Sequence, residues 1–103
     1  MSVLLEFSMF PTDVGESKSK YVAKSIQIIK DSGLKYTMGS MGTTIEGEWD
    51  EVMAVVTDCF NTMKKDCNRV FTGIKIDYRK DSSSGRMIKK IASVESKLET
   101  DHS

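Results

Sequence analysis

The stretch Lys35-Tyr36-Thr37-Met38-Gly39-Ser40-Met41-Gly42-Thr43-Thr44-Ile45-Glu46-Gly47-Glu48 decides the fold. It reads as two short strands joined by a tight turn over Met38 to Gly42, because glycine is the residue that turns and close backbone approaches favour. In the second strand Thr43, Ile45 and Gly47 share one side, and Thr44 and Glu46 the other. Helical patterns flank this pair of strands. Before it, from about Lys18 to Ser32, Val22, Ile26 and Ile29 recur at spacings of four and three, with Tyr21 and Ile28 at the margins, and Ser17 or Ser19 is placed to cap the start. Gly33 then takes a left-handed cap conformation and Leu34 returns to the core. After it, Trp49-Asp50-Glu51 opens a helix with acidic residues at the positive end of its dipole. Val52, Val55, Val56, Cys59, Phe60 and Met63 form its stripe.

At the amino-terminal end, Val3 to Phe10 alternates with period two. Val3, Leu5, Phe7 and Met9 face one way, Leu4, Glu6, Ser8 and Phe10 the other, and Pro11 ends the ladder for want of an N–H. Arg69 to Arg79 is a second long strand. Asp81 to Gly85 reads as a loop, and a last helix carries Met87, Ile91, Val94 and Leu98 down one side. The order is strand, helix, strand, strand, helix, strand. Right-handed crossovers make it an α+β, ferredoxin-like βαββαβ sandwich with an extra C-terminal helix, an antiparallel sheet with helices on one face. Residues 1–98 form the single domain and 99–103 a flexible C-terminal tail.

Composition limits the function classes. The chain has 103 residues, one domain's worth, with 39% hydrophobic and 29% charged residues. Fifteen basic residues balance fifteen acidic ones, which removes the electrostatic attraction on which nucleic-acid and anionic-lipid binders depend. No apolar run approaches the roughly 20 residues of a membrane span, and the amino end lacks the basic flank of a signal peptide. A soluble cytoplasmic protein is expected. Cys59 and Cys67 read as free thiols in a reducing compartment, and with His102 they have no zinc-ligand spacing, so no metal is expected.

If the helices cover Val3, Leu5, Phe7 and Met9 together with Val70, Ile74 and Ile76, the other face carries Leu4, Glu6, Ser8, Phe10, Thr44, Glu46, Phe71, Lys75, Asp77 and Arg79. Apolar and ionisable groups mixed in this way suit a small-ligand site or an oligomer interface. A solvated face with cross-strand pairs such as Glu6 with Lys75 is the plainer reading. The glycines of Met41-Gly42-Thr43-Thr44-Ile45-Glu46-Gly47 serve either a binding segment or a hairpin turn and end bulge.

The runs Ser17-Lys18-Ser19-Lys20-Tyr21-Val22, Ser32-Gly33-Leu34-Lys35-Tyr36, Met41-Gly42-Thr43-Thr44-Ile45-Glu46-Gly47, Arg69-Val70 and Ile76-Asp77-Tyr78-Arg79, in this order, resemble the small thiamine-binding protein family. The resemblance implies a stand-alone ferredoxin-like protein that binds thiamine or its hydroxymethylpyrimidine moiety without catalysis, with thiamine as ligand rather than cofactor. It also implies a homo-oligomer, a dimer of dimers built from paired sheets. An aminopyrimidine pairs with a carboxylate through a ring nitrogen and its exocyclic amine. Glu46 is therefore the first candidate, with Thr43 and Thr44 at the ring edge and Phe7, Phe10 and Met41 against the cationic ring. Ser8 and Glu6 stand second, Tyr21, Tyr36 and Ile76 read as packing, and Arg69 and Arg79 suit a phosphate or a subunit contact. An acylphosphatase-like enzyme would need a phosphate-cradling loop that this chain lacks, and an RNA-binding module would need aromatics where Thr43 to Glu46 stand. The competing reading is a regulatory or assembly module whose open sheet face makes only oligomer contacts.

Overall fold

The structure is a computed structural model, which describes residues 2–15, 18–81 and 86–101. Four strands, β1 (Ser2–Pro11), β2 (Lys35–Met38), β3 (Thr43–Gly47) and β4 (Val70–Arg79), form one antiparallel sheet in the order β2-β3-β1-β4. Helices α1 (Lys18–Ser32) and α2 (Trp49–Lys64) link them, and α3 (Arg86–Asp101) follows. This is the expected ferredoxin-like arrangement. The α3 backbone runs three residues into the segment read as a tail. His102, Ser103, the cap candidate Ser17 and loop residues 82–85 lie outside the described residues, and Ser19 sits inside α1.

The elements follow from local chemistry. Strand β1 alternates across its length and pairs on both sides. Its odd-numbered residues Val3, Leu5, Phe7 and Met9 are buried beneath α1 and α2 with Ile45, Ile29, Val52, Val55, Cys59 and Met63. Gly33 ends α1 at φ 77°, a conformation that costs a side-chain-bearing residue strain, and its N–H donates to the Lys30 carbonyl. The Glu48 N–H donates to the Glu51 carboxylate at 2.9 Å, closing the start of α2. Gly42 is not a positive-φ glycine; a Cβ there would lie 3.0 Å from the Phe7 carbonyl oxygen, so the residue allows β3 to enter the sheet close against β1. Gly47 pairs in register with Val3, so no bulge ends the hairpin.

Three expectations about burial need correction. Ile74 and Ile76, expected under the helices, are 42% and 41% exposed, because α1 and α2 sit over β1 and β3 and leave β4 largely uncovered. Along α1 the buried positions are Tyr21, Ser25 and Ile29, while Val22 is exposed. The helix is rotated so that the small Ser25 meets α2, its carbonyl accepting from the Cys59 thiol. On α2, Phe60 is also exposed. The far face of the sheet is not bare either, since the first turns of α3 stand against one end of it.

Candidate functional site

Alternation along β1, β3 and β4 directs Leu4, Glu6, Glu46, Thr44, Lys75 and Asp77 away from α1 and α2, and the register brings them together. Glu6 lies opposite Thr44 on one side and Lys75 on the other, Leu4 lies opposite Glu46 and Asp77, and Thr37 lies opposite Thr44. At the Leu4 end this cluster captures α3. The Glu46 carboxylate accepts the Met87 N–H at 3.2 Å, where a helix start presents unpaired donors and the positive end of its dipole. Arg86 is buried. Its Nη2 lies 2.8 Å from Asp77 Oδ2, and its Nη1 donates to the Asp77 and Ser2 carbonyls and the Ser2 hydroxyl. Lys90 also donates to Asp77, and the hydrogen bonds from Lys90 and Arg86 together hold the Asp77 carboxyl below the usual carboxylate range.

Two concavities flank the docked turns of α3. One, about 410 Å³, is lined by Leu4, Glu6, Thr37, Thr44, Lys75, Ile76, Asp77, Met87, Lys90 and Ile91. That volume lies within the range of small-molecule pockets. The other, about 510 Å³, runs between α3 and β2 past Tyr36 and Glu46. Among the described residues the ion pairs are Lys24–Asp66, Arg86–Asp77 and Lys90–Asp77, so Glu6 and Lys75, although opposite in register, do not close one. The first groove therefore holds an exposed, uncommitted carboxylate beside two hydroxyls, against an apolar wall of Leu4, Met87 and Ile91.

The eight sequence candidates divide among three places. Glu6 and Thr44 share this groove. Glu46 is buried at the root of α3, beside the second concavity. Phe7, Ser8, Phe10, Met41 and Thr43 line a third pocket of about 360 Å³ under the hairpin turn with Lys18 and Val22. There Thr43 and Phe7 are buried on the helix side, Met41 is largely exposed, and Phe10 stacks at 5.6 Å on Phe71 with the Lys18 ammonium 4.7 Å from its ring centre. Met87, Lys90 and Ile91 were not among the candidates. Their apolar stripe was legible, but not the face on which it lands. The complementary charges of Arg86, Glu46 and Asp77 were the available hint.

Two further titratable groups are buried in the core, Cys59 and Tyr21. Burial pushes the Cys59 thiol above its ordinary value. Burial, and then the neighbouring Cys67, raise the Tyr21 phenol. Among the described residues no cluster of His, Cys, Asp and Glu is placed to hold a metal ion, and no helix is long and apolar enough to cross a membrane.

The fold and the groove define an α+β module of ferredoxin-like topology with a small-molecule-sized cleft between its open sheet face and an appended helix. The chain belongs to the thiamine-binding protein family, which residues 5–95 match. It is 39% identical to the UPF0045 protein MJ1052 of Methanocaldococcus jannaschii over 80% of this chain and 82% of that one. It is 41% identical to a UPF0045 protein of Mycobacterium tuberculosis over 92% and 93%. The crystal structure of MJ1052 superposes with a TM-score of 0.76 at 38% identity, over 88% of this chain and 96% of that one. A Thermotoga maritima protein named for thiamine biosynthesis or salvage shares the fold at a TM-score of 0.75 and 23% identity, over 88% and 99%.

Proposed function

We propose that this protein is a non-catalytic binder of thiamine or its hydroxymethylpyrimidine moiety, and that the groove between α3 and the open sheet face receives the ligand. The observation that carries the reading is the exposed Glu6 carboxylate, set between Thr44 and Lys75 and in none of the ion pairs among the described residues, in a chain of the thiamine-binding family. A carboxylate takes both the ring nitrogen and the exocyclic amine of an aminopyrimidine in a paired, charge-assisted contact. The same charge attracts a thiazolium cation, while Leu4, Met87 and Ile91 offer a flat apolar wall. The pyrimidine-recognition role passes from Glu46 to Glu6, because Glu46 is buried holding the start of α3 and so positions the groove's wall.

The test is thermal denaturation with thiamine, its mono- and diphosphate, and hydroxymethylpyrimidine. A ligand at a hundred times its Kd adds about 2.7 kcal/mol of stability. A rise in Tm with at least one of the four is expected, and no rise with any of them defeats the proposal. Mass spectrometry of the recovered ligand tests the absence of catalysis, since a bound ligand should return unaltered. The proposal includes residence in the cytoplasm, which the two free, buried thiols support.

Self-association belongs to the same proposal. Ile88, Ile91, Val94 and Leu98 on α3 and Phe71, Ile74, Ile76 and Tyr78 on β4 are all exposed, apolar surface that association with a second copy would cover. Sedimentation velocity should show a species well above 11.5 kDa, and an 11.5 kDa species contradicts it. An oligomer that no ligand stabilises would instead favour the assembly-module reading.

A further inference from the structure

The groove between α3 and the open sheet face is unevenly charged across its width. On one side stand the carboxylates of β1 and β3, Glu6 in the groove itself and Glu46 buried at the root of α3. On the other stand the ammonium groups of β4 and α3, Lys75 and Lys90, both exposed and both in the groove wall. Asp77 lies among these cations, but Arg86 and Lys90 both pair with it, so its charge is more than matched. Lys75 closes no ion pair among the described residues, although Glu6 is opposite it in the register. Lys90 gives Asp77 one hydrogen bond, and an ammonium has three donors, so two remain. An unphosphorylated aminopyrimidine satisfies the Glu6 side and has no anionic group for the lysine side.

We propose that the ligand preferred by this groove carries a phosphate ester on the hydroxymethyl arm of its pyrimidine, with Glu6 receiving the ring and the Lys75 and Lys90 ammoniums receiving the phosphate. The inference rests on the groove being the pyrimidine site and adds which form of the ligand it selects. Neighbouring strands lie about 4.8 Å apart, and one methylene and one oxygen separate the pyrimidine ring from phosphorus in such an ester. A ring seated on Glu6 therefore carries its phosphate over β4, where Lys75 stands opposite and Lys90 is supplied by α3. At neutral pH the phosphate is close to a dianion with three strong acceptor oxygens, and it takes charge-assisted bonds from both ammoniums. Lysine suits this role, since its long stem brings a point charge to the phosphate without demanding one fixed geometry. Arg69 and Arg79, the phosphate candidates of the sequence, are not among the residues that line the groove. The plainer alternative folds Lys75 onto Glu6 as an exposed cross-strand pair. Such pairs are weak, and a ligand that meets each partner with the opposite charge parts them readily.

Isothermal calorimetry of hydroxymethylpyrimidine and its monophosphate ester, against the wild type and Lys75→Met, tests the proposal. Methionine keeps a long unbranched side chain and removes the charge at an exposed position, and the unfolding midpoint of each protein is recorded alongside. The ester should bind the wild type at least about tenfold more tightly than the unphosphorylated compound. Lys75→Met should lose most of that advantage while binding the unphosphorylated compound as the wild type does. Equal affinity of the wild type for the two compounds, or weaker binding of the ester, overturns the phosphate assignment and leaves the groove as a pyrimidine site; this comparison needs no variant. An ester preference undiminished in Lys75→Met overturns the role given to Lys75. Absence of binding by either compound overturns the proposed function together with this inference.

Discussion

Replacing Glu46 by alanine isolates the contact that builds the groove. In the structure this buried carboxylate accepts the Met87 N–H at 3.2 Å, and beyond its first turns α3 makes little contact with the rest of the molecule. A hydrogen bond to a charged group is worth about 1.5–3 kcal/mol, and the start of a helix favours a negative charge. The loss should fall on the docking of α3, because the core beneath α1 and α2 does not include it. Hydrogen exchange should then report roughly ten- to a hundredfold faster opening of the α3 amides. The amides of β1 and α2 should stay protected. Glu46→Gln keeps an oxygen acceptor without the charge, so its effect should be smaller than that of alanine. Unchanged α3 protection in Glu46→Ala, or equal loss across the whole molecule, would contradict this role. The first outcome would mean that Glu46 does not hold the helix, the second that α3 is part of the global folding unit.

Other consequences are as direct. Leu5 is fully buried at the centre of the sheet, so Leu5→Ala should cost about 2–5 kcal/mol in urea denaturation, and a cost below 1 kcal/mol would contradict the packing described. Gly42→Ala forces a Cβ to 3.0 Å from the Phe7 carbonyl oxygen and should lower stability by about 1–2 kcal/mol, whereas a neutral result would mean that β3 enters the sheet less closely. Asp77 has a lowered folded-state pKa, held down by Lys90 and Arg86. Its ionised form therefore supports α3 docking above the ordinary carboxylate pKa, and this support is lost as pH falls through the lowered value. Exchange of the α3 amides should be insensitive to Asp77 through neutral and mildly acidic pH and should accelerate only below about pH 4, while an onset near pH 6 would point to another group.

Strand β1 and helix α2 were the most legible elements because each carries a clear period. The two-residue alternation of Val3 to Phe10 and the stripe of Val52 to Met63 mark their own inward faces. Burial was less legible on β4, since alternation assigns Ile74 and Ile76 to the helix side but does not tell how far across the sheet two helices reach. The rotation of α1 escaped for a related reason. Ser25 is polar by residue type, yet it is small enough to let α2 approach and its carbonyl meets the Cys59 thiol. At the site, alternation placed Glu6, Thr44 and Glu46 on one face, which is where they stand. Their separation into an exposed carboxylate at Glu6 and a buried one at Glu46 depends on where α3 returns. That return is a tertiary event marked by the contacts of Arg86 with Asp77, nine residues apart in sequence.

Whether the Glu6 carboxylate pairs with the ligand is decided by isothermal calorimetry of thiamine and hydroxymethylpyrimidine against the wild type and Glu6→Gln. Binding to the wild type that weakens about ten- to a hundredfold in Glu6→Gln, with the unfolding transition unmoved, is the outcome expected of a carboxylate that pairs with the ligand in the groove beside α3. Equal affinity in the two proteins would contradict it and move the ligand elsewhere on the molecule.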